Sequence, residues 1–144
     1  MRNLLIPVDG RSAQRTANAV AEAIAIHRQE PVGVHLLSVQ PRLSGHAAMC
    51  FSDSTLHALQ HEAGTKDLAP AQALLDQAGV PWSASVAVGR SAETIARQAR
   101  ELGCDRIVMG RENRETLASR VLGSVASQVR QILGRTADCQ VLGS

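Results

Sequence analysis

Five short apolar runs, Asn3 to Val8, Val32 to Val39, Trp82 to Val88, Arg106 to Met109 and Cys139 to Leu142, alternate with stretches whose apolar residues recur every three or four positions. This alternation predicts strands separated by helices, the pattern of a parallel α/β sheet. The first helix is expected to start after Ser12, whose side-chain oxygen suits an N-cap, with Ala13, Ala17, Val20, Ala21 and Ile24 as its inward face. Asp9, Gly10, Arg11 and Ser12 then form the loop between strand and helix. A further helix is expected from Ser91, with Glu93 in its first turn, Ala92, Ile95, Ala96, Ala99 and Leu102 buried, and a stop at Gly103.

From Gln40 to Gly79 the pattern is less regular. Pro41 to Phe51 reads as loop, Ser54 to Ala63 as one helix, and Leu68 to Ala78 as another, with Gly64 and Pro70 interrupting between and within them. No internal repeat, low-complexity tract or linker marks a second domain, so residues 1–144 are expected to form one domain with one long excursion.

Composition narrows the class. At 144 residues, 44% hydrophobic and 19% charged, the chain falls outside the disordered, collagen-like and coiled-coil classes. Aromatics are limited to Phe51 and Trp82, which removes the usual stacking platform for single-stranded nucleic acid. Net charge is +2, Lys66 is the single lysine, and no basic run occurs, so no nucleic-acid partner is expected. Cys50, Cys104 and Cys139 are odd in number and share no Cys-x-x-Cys spacing, which fits a reducing cytosol better than a disulfide framework or a zinc ribbon. No signal peptide and no 18-residue apolar run are visible, so no membrane segment is expected.

In open α/β sheets ligands lie at the carboxyl ends of the strands, near the point where strand order reverses. The loop after the fourth strand runs Gly110-Arg111-Glu112-Asn113, then nine residues, then Gly123-Ser124-Val125 opening the last helix. Glycine at 110 lets backbone approach a ligand, and Gly123 frees the N–H groups at a helix mouth, where the dipole attracts phosphate. Ser124 adds a hydroxyl, and Arg111, Arg114 and Arg120 add charge. The same residues also make an ordinary strand end and helix start with solvated arginines. Asp9, in Asp-Gly, is by itself an ordinary turn residue.

These residues resemble the universal stress protein family, whose nucleotide-binding members carry Gly-x2-Gly-x9-Gly-Ser/Thr; here it stands as Gly110-x2-Asn113-x9-Gly123-Ser124. The opening Leu4-Leu5-Ile6-Pro7-Val8-Asp9-Gly10-Arg11-Ser12 and the run Ile107-Val108-Met109-Gly110 are similar to the family's first strand with its acidic turn and to its fourth strand. The resemblance covers essentially the whole chain. It implies a single α/β domain, with a five-stranded parallel open sheet in the order 3-2-1-4-5 and helices on both faces. It further implies a site for ATP, with or without Mg²⁺: Asp9 on the adenine or ribose side, Val39 lining the adenine pocket, Met109 and Gly110 bordering ribose and phosphates, and Gly123, Ser124 and Val125 holding the phosphates. Asn113 replaces the motif's second glycine; asparagine tolerates the left-handed region better than other residues with a Cβ, but brings a side chain where bare backbone would meet phosphate.

The function implied is adenine-nucleotide binding in a stress response, as a nucleotide-dependent binding module or switch. The alternative is a dimeric interaction protein that has lost its nucleotide. The family also implies a homodimer through the last strand, Cys139 to Leu142. Enzymatic activity is expected to reach at most slow ATP hydrolysis, since no nucleophile is visibly paired with a base. His57 and His61 stand four apart, as do His46 and Cys50, but the zincin pattern is absent and solvated histidines are the expectation. His27 and His35 carry no assigned role.

Overall fold

The computed structural model describes residues 2–8, 10–41, 52–110, 124–134 and 139–142. Strands β1 (Arg2–Val8), β2 (Val32–Gln40), β3 (Trp82–Val88), β4 (Arg106–Val108) and β5 (Gln140–Leu142) alternate with helices α1 (Ala13–Gln29), α2 (Asp53–Ala78), α3 (Ser91–Glu101) and α4 (Ser124–Leu133). The strands form one sheet in the order β3-β2-β1-β4-β5, and every neighbouring pair is parallel. All five expected strands are present, their ends shifted by one residue in four cases.

Because successive side chains of a strand point to opposite faces, the central strand feeds two cores. Leu4, Ile6 and Val8 join Val32, Val34 and Leu36 of β2 against Ala19, Val20 and Ala23 of α1 and Leu68, Ala71 and Leu75 of α2. Leu5, Leu37 and Ile107 point the other way, against Ala92, Ile95, Ala96 and Ala99 of α3 and Val129 and Leu133 of α4. Helices thus cover both faces. No described helix is long and apolar enough to cross a membrane.

Three expectations are corrected. The inward face of α1 is Thr16, Ala19, Val20 and Ala23; Ala13, Ala17 and Ala21 are exposed and Ile24 is half-buried. Alanine occurs on every side of this helix, so apolar spacing alone leaves its rotation undetermined by about one residue, or 100°. Leu102 is not buried but 39% exposed, because the chain leaves the helix there: Gly103, at φ 66°, is the left-handed cap, with Gly103 N–H donating to Arg100 O and Cys104 N–H to Ala99 O.

The third correction is that the two excursion helices are one. Gly64 and Pro70 both lie inside α2. Gly64 is buried against β3, where a Cβ would come within 2.5 Å of Val86 Cγ1, so glycine marks a close helix–strand approach and not a break. Pro70 is exposed and gives up one helical hydrogen bond, a loss outweighed by the burial of Leu68, Ala71 and Leu75 on either side of it. Pro41 and Ser52 flank a segment, 42–51, that lies outside the described residues, as does the expected phosphate-side loop 111–122.

Candidate functional site

The chain leaves β1 through α1 to reach β2 on one side, and reaches β4 on the other side through α3, so strand order reverses between β1 and β4. A crevice at their carboxyl ends follows from that reversal. Pro7 helps to open it. The β1–β4 ladder runs through Leu4 with Arg106 and Leu5 with Ile107 and then stops, and Pro7, lacking an N–H, lies just past it.

The β1–α1 turn is anchored at Ser12, whose Oγ accepts from Arg15 N–H at 3.2 Å while its carbonyl accepts from Thr16 Oγ1 at 3.3 Å. Asp9 lies outside the described residues, between Val8 and Gly10. On the far side, Met109 N–H donates to Leu142 O at 2.9 Å and extends the β4–β5 ladder. Val39, Met109 and Val125 are each partly buried and packed against the α3–α4 core. Since β4 and β5 are parallel and joined through α4, the amino end of α4 at Ser124 faces the carboxyl-end side of the sheet, where its N–H groups and dipole favour an anion. Gly110 is set against α1: a Cβ there would run into the carbonyl of Arg15. Asn113 and Gly123 lie outside the described residues.

A polar group on the opposite side of the β1–α1 turn escaped the sequence. Gln40 Nε2 donates to Ser38 Oγ at 2.9 Å and to Asp67 Oδ2 at 3.1 Å, with Ser38 fully buried. The Asp67 carboxylate lies against Gly10, and a Cβ at position 10 would run into it. A helix residue 27 positions from its partner has no local signature; the bare backbone at Gly10 is the only hint.

A second set of chemistry-bearing side chains lies on the sheet away from this crevice. His35 is opposite Ser83 in the β2–β3 register, with Ser85 next on the same face. Its Nδ1 is 2.7 Å from Ser83 Oγ and its Nε2 2.8 Å from Ser85 Oγ. A neutral ring donates at one nitrogen and accepts at the other. Burial holds the imidazole below its ordinary 6.5. As pH falls, the unfolded chain therefore takes up this proton first, and stability drops from 6.5 down to the lowered folded value. His35→Gln is expected to flatten that part of the stability curve, as urea midpoints at about pH 5 and about pH 7.5 would show.

His57 and His61 are both exposed on α2, and among the described residues no three His, Cys, Asp or Glu side chains converge to hold a metal. His46 and Cys50 lie outside the described residues. His27 has a local task, with Nδ1 accepting from Val32 N–H at 3.2 Å where α1 gives way to β2.

The model of the universal stress protein family matches residues 1–142. Among solved structures, a universal stress protein family member from Burkholderia pseudomallei is 22% identical with a TM-score of 0.69, over 99% of this chain and 96% of that one. The universal stress protein of Archaeoglobus fulgidus in complex with dAMP is 18% identical, TM-score 0.61, over 99% and 98%. A family protein from Arabidopsis thaliana with AMP bound is 17% identical, TM-score 0.66, over 99% and 90%. Among curated proteins, none matches the sequence.

Proposed function

The chain belongs to the universal stress protein family, and from that premise we propose that it binds an adenine nucleotide at the carboxyl ends of β1, β2 and β4 and works as a nucleotide-dependent binding module. The observation that carries the reading is the reversal of strand order between β1 and β4, with the amino end of α4 on the carboxyl-end side of the sheet. Apolar side chains at the ends of β2 and β4 and at the start of α4, with a helix amino end, suit a base at one end and phosphates at the other. The dAMP and AMP held by the Archaeoglobus and Arabidopsis relatives support the same ligand class.

In this reading ATP, with Mg²⁺ carried on its phosphates, is the ligand. Asp9 accepts from the adenine amino group or a ribose hydroxyl, Val39 lines the base, and Met109 and Gly110 border the ribose. Gly123, Ser124 and Val125 hold the phosphates, and Asn113 stands at the turn between. Nucleotide occupancy sets the conformation of loop 111–122, which a partner reads. In the same reading the protein is cytoplasmic and pairs as a homodimer through β5, which among the described residues is an edge strand of the sheet.

Calorimetric titration of nucleotide-stripped protein with Mg·ATP tests the reading, with micromolar binding expected. Gly123→Glu places bulk and negative charge at the helix mouth and is expected to weaken binding at least about 100-fold, roughly 2.7 kcal/mol, with the thermal midpoint unchanged. Full affinity in a folded Gly123→Glu variant would remove the phosphates from that position.

A further inference from the structure

At the amino ends of β1, β2 and β3, opposite the nucleotide crevice, the structure has a cleft of about 280 Å³ lined by Pro81, Trp82, Leu102, Cys104, His35 and Ser83 among others. Its walls are largely apolar. Leu102 offers an apolar side chain that is 39% exposed, while the Trp82 indole, one position before Ser83, turns to the other face of the sheet, where its Nε1–H donates to Asp76 Oδ1 at 2.7 Å. Into this cleft the sheet delivers a hydroxyl and a base in contact. Ser83 is exposed, its Oγ is 2.7 Å from His35 Nδ1, and the other ring nitrogen is held at 2.8 Å by Ser85. A nucleophile within hydrogen-bond reach of a base, the base itself oriented by a third group, is the arrangement that nucleophilic catalysis requires.

We propose that Ser83 is a nucleophile activated by His35, and that the cleft takes small activated carboxylic esters whose acyl group passes to Ser83 Oγ and then to water. With the imidazole proton on Nε2 and donated to Ser85 Oγ, Nδ1 accepts the Ser83 proton as Oγ bonds to the ester carbonyl carbon. The bond from that carbon to the leaving oxygen breaks, and the leaving group departs as the alcohol, taking the proton from Nδ1. Water then attacks the acyl-serine, gives its proton to Nδ1, and releases the carboxylic acid as Ser83 Oγ is reprotonated. No electrons are exchanged with a co-reactant.

The surroundings suit this division of roles. Burial keeps His35 in the neutral form that a base needs at neutral pH. Burial, the neighbouring Cys139 and Asp105 push the Cys104 thiol up to about 11, so the other nucleophile in the cleft stays protonated and does not compete. Ser85 carries no charge to balance an imidazolium, so both steps are slow; with an ester whose leaving group departs readily, hydrolysis of the acyl-serine is the slower step and the acyl-serine accumulates. The proposal is independent of the nucleotide reading, since it uses the other end of the sheet.

The test uses p-nitrophenyl butyrate with the full-length protein, reading nitrophenol release together with the site of acylation by peptide mass mapping. Wild type is expected to show a burst of nitrophenol and one butyryl group on Ser83. Ser83→Ala and His35→Gln are each expected to lower the release rate about 100-fold, the lower end of what a positioned base contributes, with thermal midpoints that show both variants folded. Ser85→Ala is expected to slow acylation and Ser85→Thr to restore it, which a role limited to stability would not produce. A wild-type rate equal to that of Ser83→Ala, or acylation on Cys104 or His35 that persists in Ser83→Ala, would overturn the assignment.

Discussion

Gly110→Ala is expected to destabilise the protein by about 3 kcal/mol, at the upper end of what overpacking costs. A methyl group at this position runs into the carbonyl carbon and oxygen of Arg15. The obstacle is backbone in the first turn of α1, held by the Ser12 cap, so no rotamer change can relieve it. Either α1 tilts away from the sheet, uncovering Val20 and Ala23, or the end of β4 moves and takes Met109 with it. At about 2–4 °C per kcal/mol for a domain of this size, the thermal midpoint should fall by about 6–12 °C, and nucleotide affinity should fall with it because both displaced elements border the crevice. A midpoint within about 1 °C of wild type would show that α1 and the end of β4 do not meet at this point.

Gly64→Ala pits two effects of opposite sign against each other. In an exposed helix interior, alanine is worth about 1 kcal/mol over glycine. Here the new methyl would lie 2.5 and 2.6 Å from the two Val86 methyl groups, and a β-branched side chain on a strand has little freedom to turn away. The clash, at about 1–3 kcal/mol, outweighs the propensity gain, so a net loss of up to about 2 kcal/mol in urea unfolding is expected. Val86→Ala removes the obstacle, and in that background Gly64→Ala should become neutral or stabilising. The same sign in both backgrounds would refute the contact.

Gly64 reads in the sequence as a helix break, yet it sits where two elements approach closely; Gly110 has such an approach as well as its place at the strand end, and the information is held by a partner 22 residues away in one case and 95 in the other. Strands and their order were legible because a two-sided parallel sheet needs continuous apolar runs and the loop motif carried a family resemblance. The rotation of α1 was not, because alanine surrounds it. Of the candidate site, the place was legible, since the strand order fixes where the reversal falls; Asp9, Asn113 and Gly123 lie outside the described residues. The Gly10–Asp67 contact and the His35 dyad were hidden, since they arise from register and helix packing, and two serines alternating in a strand look the same whether or not a histidine stands beside them.

The strand order also dictates a schedule. β1 is synthesised first and occupies the middle of the sheet, while its neighbour β4 begins a hundred residues later. Once β3 has left the ribosome, β1, β2 and β3 can pair and bury their first face under α1 and α2. Leu5 and Leu37 then remain bare until α3 and α4 arrive to cover them. Nascent chains stalled between these events present an open sheet edge and an apolar face together, the two features that invite aggregation.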